Sequence, residues 1–459
     1  MTSMLGFFTA ALVAATAQDP GVGPGSAAAD LPPLFGRPRS APAPLSAEEI
    51  ERRRAAFEAH LEAEGLVLEH DIVAPPWYFD DEPDPGMPRA EDWTLPPHRA
   101  TIFLNFFGGT MSNGTNSALM ESSCITGTVD YPAFTNSESL ALAIIEIFRN
   151  KMEPYGVRIA YEQAPPPELP YQMVMMGGTP GTIGLPPGTL GVSCSSDCGD
   201  MWWRDTTFAF TEQSAQATTL GTTALQEAAH AFGLAHIDGS QHIMYPFASP
   251  GDKVWATSCT PYNDATGGIN CKPTHDIFCG GGMQNDDAEL MAYFGPNSPD
   301  MVPPEVTIVA PETDVLEVAP GTEVTVSAEI TDNYEGAGWK FVVLNEDGEE
   351  LASQPAFLFE TSWTVSIPEG VYTLRVQAID HDRNVGSDEV VVYAGVEPPA
   401  GTTTGDTDGG TDGGTSAGGT DGSGQAGSED GCGCRTRGAG GPGFLSVFGL
   451  LALVRRRRA

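Results

Sequence analysis

Positive charge is scarce in this sequence: 22 lysines and arginines stand against 61 aspartates and glutamates, a formal charge of -39. Nucleic acid or an anionic membrane, as the main partner, needs a basic footprint that this composition does not supply. It suits the soluble surface of an exported protein. Long apolar runs are missing too. Met4 to Ala14 is too short to span a bilayer as a helix. With the small-residue pattern Ala15-Thr16-Ala17 behind it, residues 1–17 read as a secretory signal, although the usual basic start is lacking. Cysteine is confined. Cys124, Cys194, Cys198, Cys259, Cys271 and Cys279 fall in one region, and Cys432 and Cys434 lie near the end. An even set in an exported domain predicts disulfides, in more pairings than the sequence can choose among. Cys194 and Cys198 also admit a metal reading, but no matching second pair accompanies them.

The N-terminal arm, residues 18–97, opens with a Pro/Ala-rich lead-in to about Pro44. Ser46 to Gly65 predicts a helix, from a capping residue followed by acidic side chains and the apolar positions Ile50, Phe57 and Leu61. Turn-rich sequence from Ala74 to Pro97 then separates it from a core. The arm reads as propeptide-like or as a segment packed on the domain, and it has no cysteine with which to plug a metal site. Residues 98–297 are globular in composition, with strands in "ATIFLNFF", "VRIAYEQA", "YQMVMMGG" and "TTFAFTE" and helices over Ser137–Gly156 and Thr218–Gly233. Strand, helix, strand in that order predicts a mixed α/β sheet. Residues 304–395 carry regular short alternating strands and turn residues, which predict an all-β, immunoglobulin-like sandwich similar to modules appended to bacterial surface enzymes. It has no cysteine, so packing alone holds it. Residues 396–431 have too little apolar surface to fold and read as a solvated spacer.

The stretch "LQEAAHAFGLAHIDGSQHIMYP", Leu225 to Pro246, carries the chemistry. Positions 226 and 230 share one helix face, with Glu227 beside them, and Gly233 lets the chain turn so that His236 swings back as a further ligand. The pattern resembles that of the metzincin metalloproteases, His-Glu-x-x-His-x-x-Gly-x-x-His followed by a methionine turn. Glu227, His230, Gly233 and His236 match, and Met244 in "HIMYP" stands as the turn methionine. "GLAHID", the short gap to "MYP" and "QNDDAELMAYFG" are closest to the matrixin branch. The resemblance implies an α/β (α+β) zinc-peptidase domain with one catalytic Zn2+ on His230 and His236, Glu227 as general base and Met244 beneath the metal. It also implies a protein or peptide substrate and structural Ca2+ on ligands it does not identify. Gln226 departs from the pattern, because its neutral amide oxygen is a poorer zinc ligand than imidazole. Three outcomes stand open. Zinc is held by His230 and His236 with Gln226 or a recruited His242 or His275; or the cleft binds without catalysis; or the chain is an adhesin whose sandwich is the binding face.

The tail "CGCRTRGAGGPGFLSVFGLLALVRRRRA" has a modest apolar run, Gly443 to Val454, closed by Arg455 to Arg458. Residues 432–459 resemble the MYXO-CTERM sorting tails of myxobacterial surface proteins. That resemblance implies a sorting peptidase at the membrane, Cys432 and Cys434 as sorting residues, and a place at the cell surface or outer membrane. The expectation is an exported, surface-anchored zinc metalloendopeptidase, or an inactive descendant of one that binds or adheres.

Overall fold

The computed structural model describes residues 43–79, 97–196, 198, 204–263, 265 and 267–399. The signal, spacer and sorting-tail expectations, with Cys432 and Cys434, lie outside these residues. Helix α1, Ala47–Glu64, starts where the Ser46 hydroxyl accepts a hydrogen bond from the Glu49 amide, and it buries Phe57 and Leu61. A tight hairpin follows, β1 (Val67–Glu69) and β2 (Ile72–Ala74), paired antiparallel with Glu69 opposite Ile72.

The α/β part then runs through β3 (Ala100–Asn105), the antiparallel pair β4 (Gly109–Ser112) and β5 (Thr128–Tyr131), α2 (Glu138–Met152), β6 (Val157–Ala160), β7 (Gln172–Met176), β8 (Gly191–Val192), β9 (Thr206–Ala209) and α3 (Ala217–Ala231). After α3 come β10 (Thr260–Pro261), α4 (Lys272–Cys279), β11 (Met283–Gln284) and α5 (Asp286–Phe294). The main sheet has the order β6-β3-β7-β9-β8, parallel throughout except for the edge strand β8. Side chains alternate along its strands. Ile102, Leu104, Val174 and Met176 pack with α2, α3 and α5, whereas Phe103, Met173, Met175 and Phe208 pack with Phe57 and Leu61 of α1. The arm is thus built into the second face of the sheet. The six cysteines pair as Cys124–Cys194, Cys198–Cys271 and Cys259–Cys279. Cys194 and Cys198 go to different partners, which ends their reading as a metal pair.

The C-terminal part has eight strands: β12 (Glu305–Ala310), β13 (Val315–Val318), β14 (Thr322–Thr331), β15 (Gly338–Asn345), β16 (Glu350–Pro355), β17 (Ser362–Ile367), β18 (Gly370–Ile379) and β19 (Val385–Ala394). They form sheets β12-β14-β17 and β13-β19-β18-β15-β16 around Val326, Trp363, Leu374, Val376 and Val392. This is an Ig-like sandwich, and the whole is mixed α/β followed by all-β. Among the described residues no helix is long and apolar enough to cross a membrane.

The two parts are bonded together. Arg158 grips the Asp382 carboxylate at 2.6 and 2.8 Å, and buried Arg99 donates to the carbonyls of Pro296 (2.8 Å) and Ser298 (3.0 Å). His98 lies at the same junction, and burial pushes its imidazole down to about 4. As pH falls, the unfolded chain takes its proton near 6.5 and the folded chain only near 4, so stability decreases across that window by up to about 3 kcal/mol. Urea unfolding at pH values near 7 and near 4 checks this. His98→Gln should lose that share of the acid destabilisation, and an unchanged pH dependence would mean that His98 is solvated in the folded chain.

Candidate metal centre

Helix α3 is buried nearly all round, its small residues Ala224, Ala228 and Ala229 lying against the sheet, which lets it carry polar side chains into the interior. Gln226, Glu227 and His230 are 7, 1 and 0 % exposed. The chain leaves the helix at Gly233, whose φ of +103° disfavours a side chain and where an added Cβ would stand 2.9 Å from Cys198 Cα. Past this turn the Leu234 carbonyl lies 2.7 Å from His230 Nδ1. That contact assigns the ring hydrogen to Nδ1 and leaves the Nε2 lone pair for a metal. His236 is positioned through its neighbour. The Gln284 side chain accepts from the Ala235 amide at 2.7 Å and donates to the Ala235 carbonyl at 3.0 Å. Met244 is fully buried, and its carbonyl accepts from the Ile237 amide at 3.1 Å.

His230 Nε2 and His236 Nε2 lie 3.0 Å apart. The third member of the cluster comes from the arm. Asp71 Oδ1 stands 3.4 Å from His236 Nε2 and 3.7 Å from His230 Nε2. Three ligands on a tetrahedral zinc are separated by about 3.3 Å, from zinc–nitrogen and zinc–oxygen distances near 2.0–2.2 Å. The triangle has that size. Asp71 Oδ1 is buried and accepts no hydrogen bond, which fits a cation as its partner, and Glu227 Oε2 is buried without a hydrogen-bond partner as well. His70 adds a fourth donor at the rim. His70, Asp71 and His236 each present a ligand atom within 4.8 Å of the others, and the His70 ring meets His236 edge to face.

His70 and Asp71 are the two loop residues of the β1–β2 hairpin, and His70 has φ +56°, a left-handed conformation that glycine usually takes at this place in a hairpin. The hairpin is clamped to the sheet edge. The Ser193 amide donates to the Asp71 carbonyl (2.7 Å), and the Val73 amide donates to the Ser193 carbonyl (2.8 Å). Gly191 lets the same edge close on α3, since a Cβ there would meet Glu227 Oε1 at 2.5 Å.

The electrostatics follow from burial. Burial alone would raise the Asp71 carboxyl, but His236 and then His230 outweigh it and hold it well below the usual carboxylate range. His230 is pushed down to about 3, by burial first and His236 second, with Asp71 pulling the other way. Glu227 is raised well above the ordinary range, by burial first and by the Asp71 carboxylate second. A dication opposes that rise, because it favours both carboxylates in their charged form.

Gln226 donates its Nε2 to the Tyr245 carbonyl at 3.1 Å, so Oε1 is the atom it has left to offer. His275 is elsewhere, buried against Glu289 at 2.7 Å and the Asn270 carbonyl at 3.0 Å, and it is no recruited ligand. His242 lines the cleft but lies outside the donor cluster, with its neighbour Gln241 at 2.9 Å from Nε2. The cleft measures about 410 Å³ and is walled by Asp71, Gly191, Thr223, Gln226, Glu227, Tyr245 and Phe247. Of this cluster the sequence offers His230 and His236, and it misses Asp71 and His70. A search of the arm for cysteine passes over them. The available signal is a His-Asp pair between two short apolar runs in "LVLEHDIVA".

Comparison with known proteins bears on the sandwich. Residues 304–376 match the family model described as a bacterial Ig domain. No curated protein gives a match. Among solved structures, the fibronectin(III)-like modules of Clostridium thermocellum CbhA are 22 % identical, over 20 % of this chain and 47 % of that one, with a TM-score of 0.17. Bacteroides ovatus SGBP-B, solved in complex with a mixed-linkage heptasaccharide, is 15 % identical over 21 % of this chain and 26 % of that one, at 0.16. The matched part thus spans less than half of each of these chains. Akkermansia muciniphila OgpA, a catalytically inactive form solved with an O-glycopeptide substrate, is 9 % identical over 68 % of this chain and 96 % of that one, at 0.17.

Proposed function

We propose that the chain is an exported, surface-anchored, metzincin-like zinc metalloendopeptidase held latent by its own N-terminal arm. His230 and His236 are the metal donors, Asp71 closes the donor set only in the latent chain, and Glu227 is the general base. The observation that carries this reading is the meeting of Asp71 Oδ1 with the two imidazole Nε2 atoms, all within 3.7 Å, beside a buried glutamate on the cleft wall. Bound zinc supplies a Lewis acid that brings the pKa of water toward neutrality and polarises a scissile carbonyl. Glu227 receives the proton of the attacking water and returns it to the leaving amine. The edge strand β8 offers backbone groups to which an extended peptide adds as a further strand. In the intact chain Asp71 to Val73 take that place through Ser193, so the hairpin both completes the donor set and stands where substrate backbone lies. The three disulfides accord with export.

Gln226 favours a second reading, in which the metal only staples the arm and the surface binds without cutting. One experiment separates the two. Zinc content and quenched-peptide cleavage are measured on the full chain carrying a specific protease site within residues 80–96, before and after that site is cut. About one zinc per chain, with chelator-sensitive cleavage that rises at least about tenfold on cutting, supports the latent peptidase. One zinc without cleavage in either form supports the second reading. A folded chain that binds no zinc in either form overturns both.

A further inference from the structure

We propose that Asp300, Asp332 and Asp380 form a calcium site that locks the Ig-like sandwich to the α/β part. The three come from separate segments: Asp300 from the connection between α5 and β12, Asp332 from the turn after β14 and Asp380 from the turn after β18. Their carboxylate oxygens nevertheless lie within 4.8 Å of one another. Asp300 is 5 % exposed and Asp380 3 %, depths at which like charges are not held together by solvent. The decisive atom is Oδ2 of Asp300, a buried member of this cluster, because it accepts no hydrogen bond.

Both Asp380 oxygens and one oxygen each of Asp300 and Asp332 accept hydrogen bonds from the protein, Asp380 Oδ2 from Asn384 Nδ2 at 2.7 Å. Asp300 Oδ1 accepts from the Val302 amide at 3.0 Å and from Asn333 Nδ2 at 3.2 Å. Asp332 Oδ1 accepts from the Asn333 amide at 2.9 Å, and Asp380 Oδ1 from the Asn384 amide at 2.8 Å. A donor set of carboxylates without nitrogen or sulfur selects a hard cation over zinc. Two oxygens on one calcium ion are at most about 5 Å apart, given calcium–oxygen distances of 2.3–2.6 Å, so the spacing suits calcium, and its flexible coordination accepts carboxylates from three independent loops better than magnesium does. Asn384 Nδ2 also donates to the Asp300 carbonyl at 3.0 Å, and Asp382, two residues from Asp380, holds Arg158 of β6. A cation here joins the connecting segment to two sandwich loops at the point where the sandwich meets the sheet.

The test uses the chelator-stripped full chain, calcium chloride as the probe, titration calorimetry and thermal unfolding. Calcium is expected to bind with a dissociation constant of about 1 mM or tighter. At about 10 mM it should raise the melting midpoint by about 5 °C. Asp332→Asn, at the less buried position, should weaken binding at least about tenfold with an unchanged far-ultraviolet dichroism spectrum. Asp300→Asn should abolish the midpoint shift. His236→Ala, at the other cluster, should leave the calcium response intact, so failure of the zinc reading and failure of this one are distinguishable. Absence of calcium heat and of a midpoint shift in the unaltered chain overturns the proposal, as does full retention of both in Asp332→Asn. An equal shift with magnesium alone overturns the assignment to calcium.

Discussion

Asp71→Ala is expected to lower the zinc affinity of the full chain by at least about 100-fold at neutral pH. The geometry gives the reason. Asp71 supplies the only charged oxygen of the Asp71–His230–His236 triangle, and it is held there by backbone bonds to Ser193 rather than by a flexible tether. Its removal leaves His230 and His236, the rim imidazole of His70 and the Gln226 amide oxygen, a set without a charged donor. The same substitution in a Gln226→His background should be far milder, because a third imidazole then stands on the α3 face beside His230. Competition against a chromophoric chelator measures all four forms of this double-mutant cycle. Equal zinc affinity for the unaltered chain and Asp71→Ala would remove the arm from the donor set. Additive losses in the cycle would show that positions 71 and 226 do not substitute for one another.

Much of the scaffold was legible because local chemistry and tertiary burial agree along it. Ser46 and Ser137 cap the helices they were expected to start, and the second of these ends at Met152, four residues before the expected Gly156. The alternating runs after Glu305 form the two sheets of the sandwich, and the six cysteines all enter disulfides. Cysteine pairing itself was not readable, since it depends on which loops the sheet brings together. The α3 half of the candidate centre could be read because Glu227 and His230 share one helix and His236 follows within ten residues, just past the turn at Gly233. Asp71 could not. It lies more than 150 residues away in sequence, and only the packing of α1 beneath the sheet and the pairing of the hairpin with Ser193 bring it to the histidines. The carboxylate triad at the junction was hidden for the same reason, since each aspartate alone reads as an ordinary turn residue.

The second large effect belongs to Glu227. Gln226→His supplies a third imidazole that does not depend on the arm, so the cut Gln226→His chain is the background that isolates the base from the metal donors. There Glu227→Gln should lower kcat/KM about 1,000-fold, within the range of a positioned general base. Zinc content should stay unchanged, because Glu227 is beside the donor triangle and not one of its corners. Glutamine preserves the shape that Gly191 accommodates and removes only the capacity to accept a proton. Coupled loss of zinc and activity would make Glu227 a support of the metal site rather than a base. Cleavage that survives Glu227→Gln would mean that proton transfer runs through another group lining the cleft, for which His242, on the same wall, is the nearest alternative in chemistry.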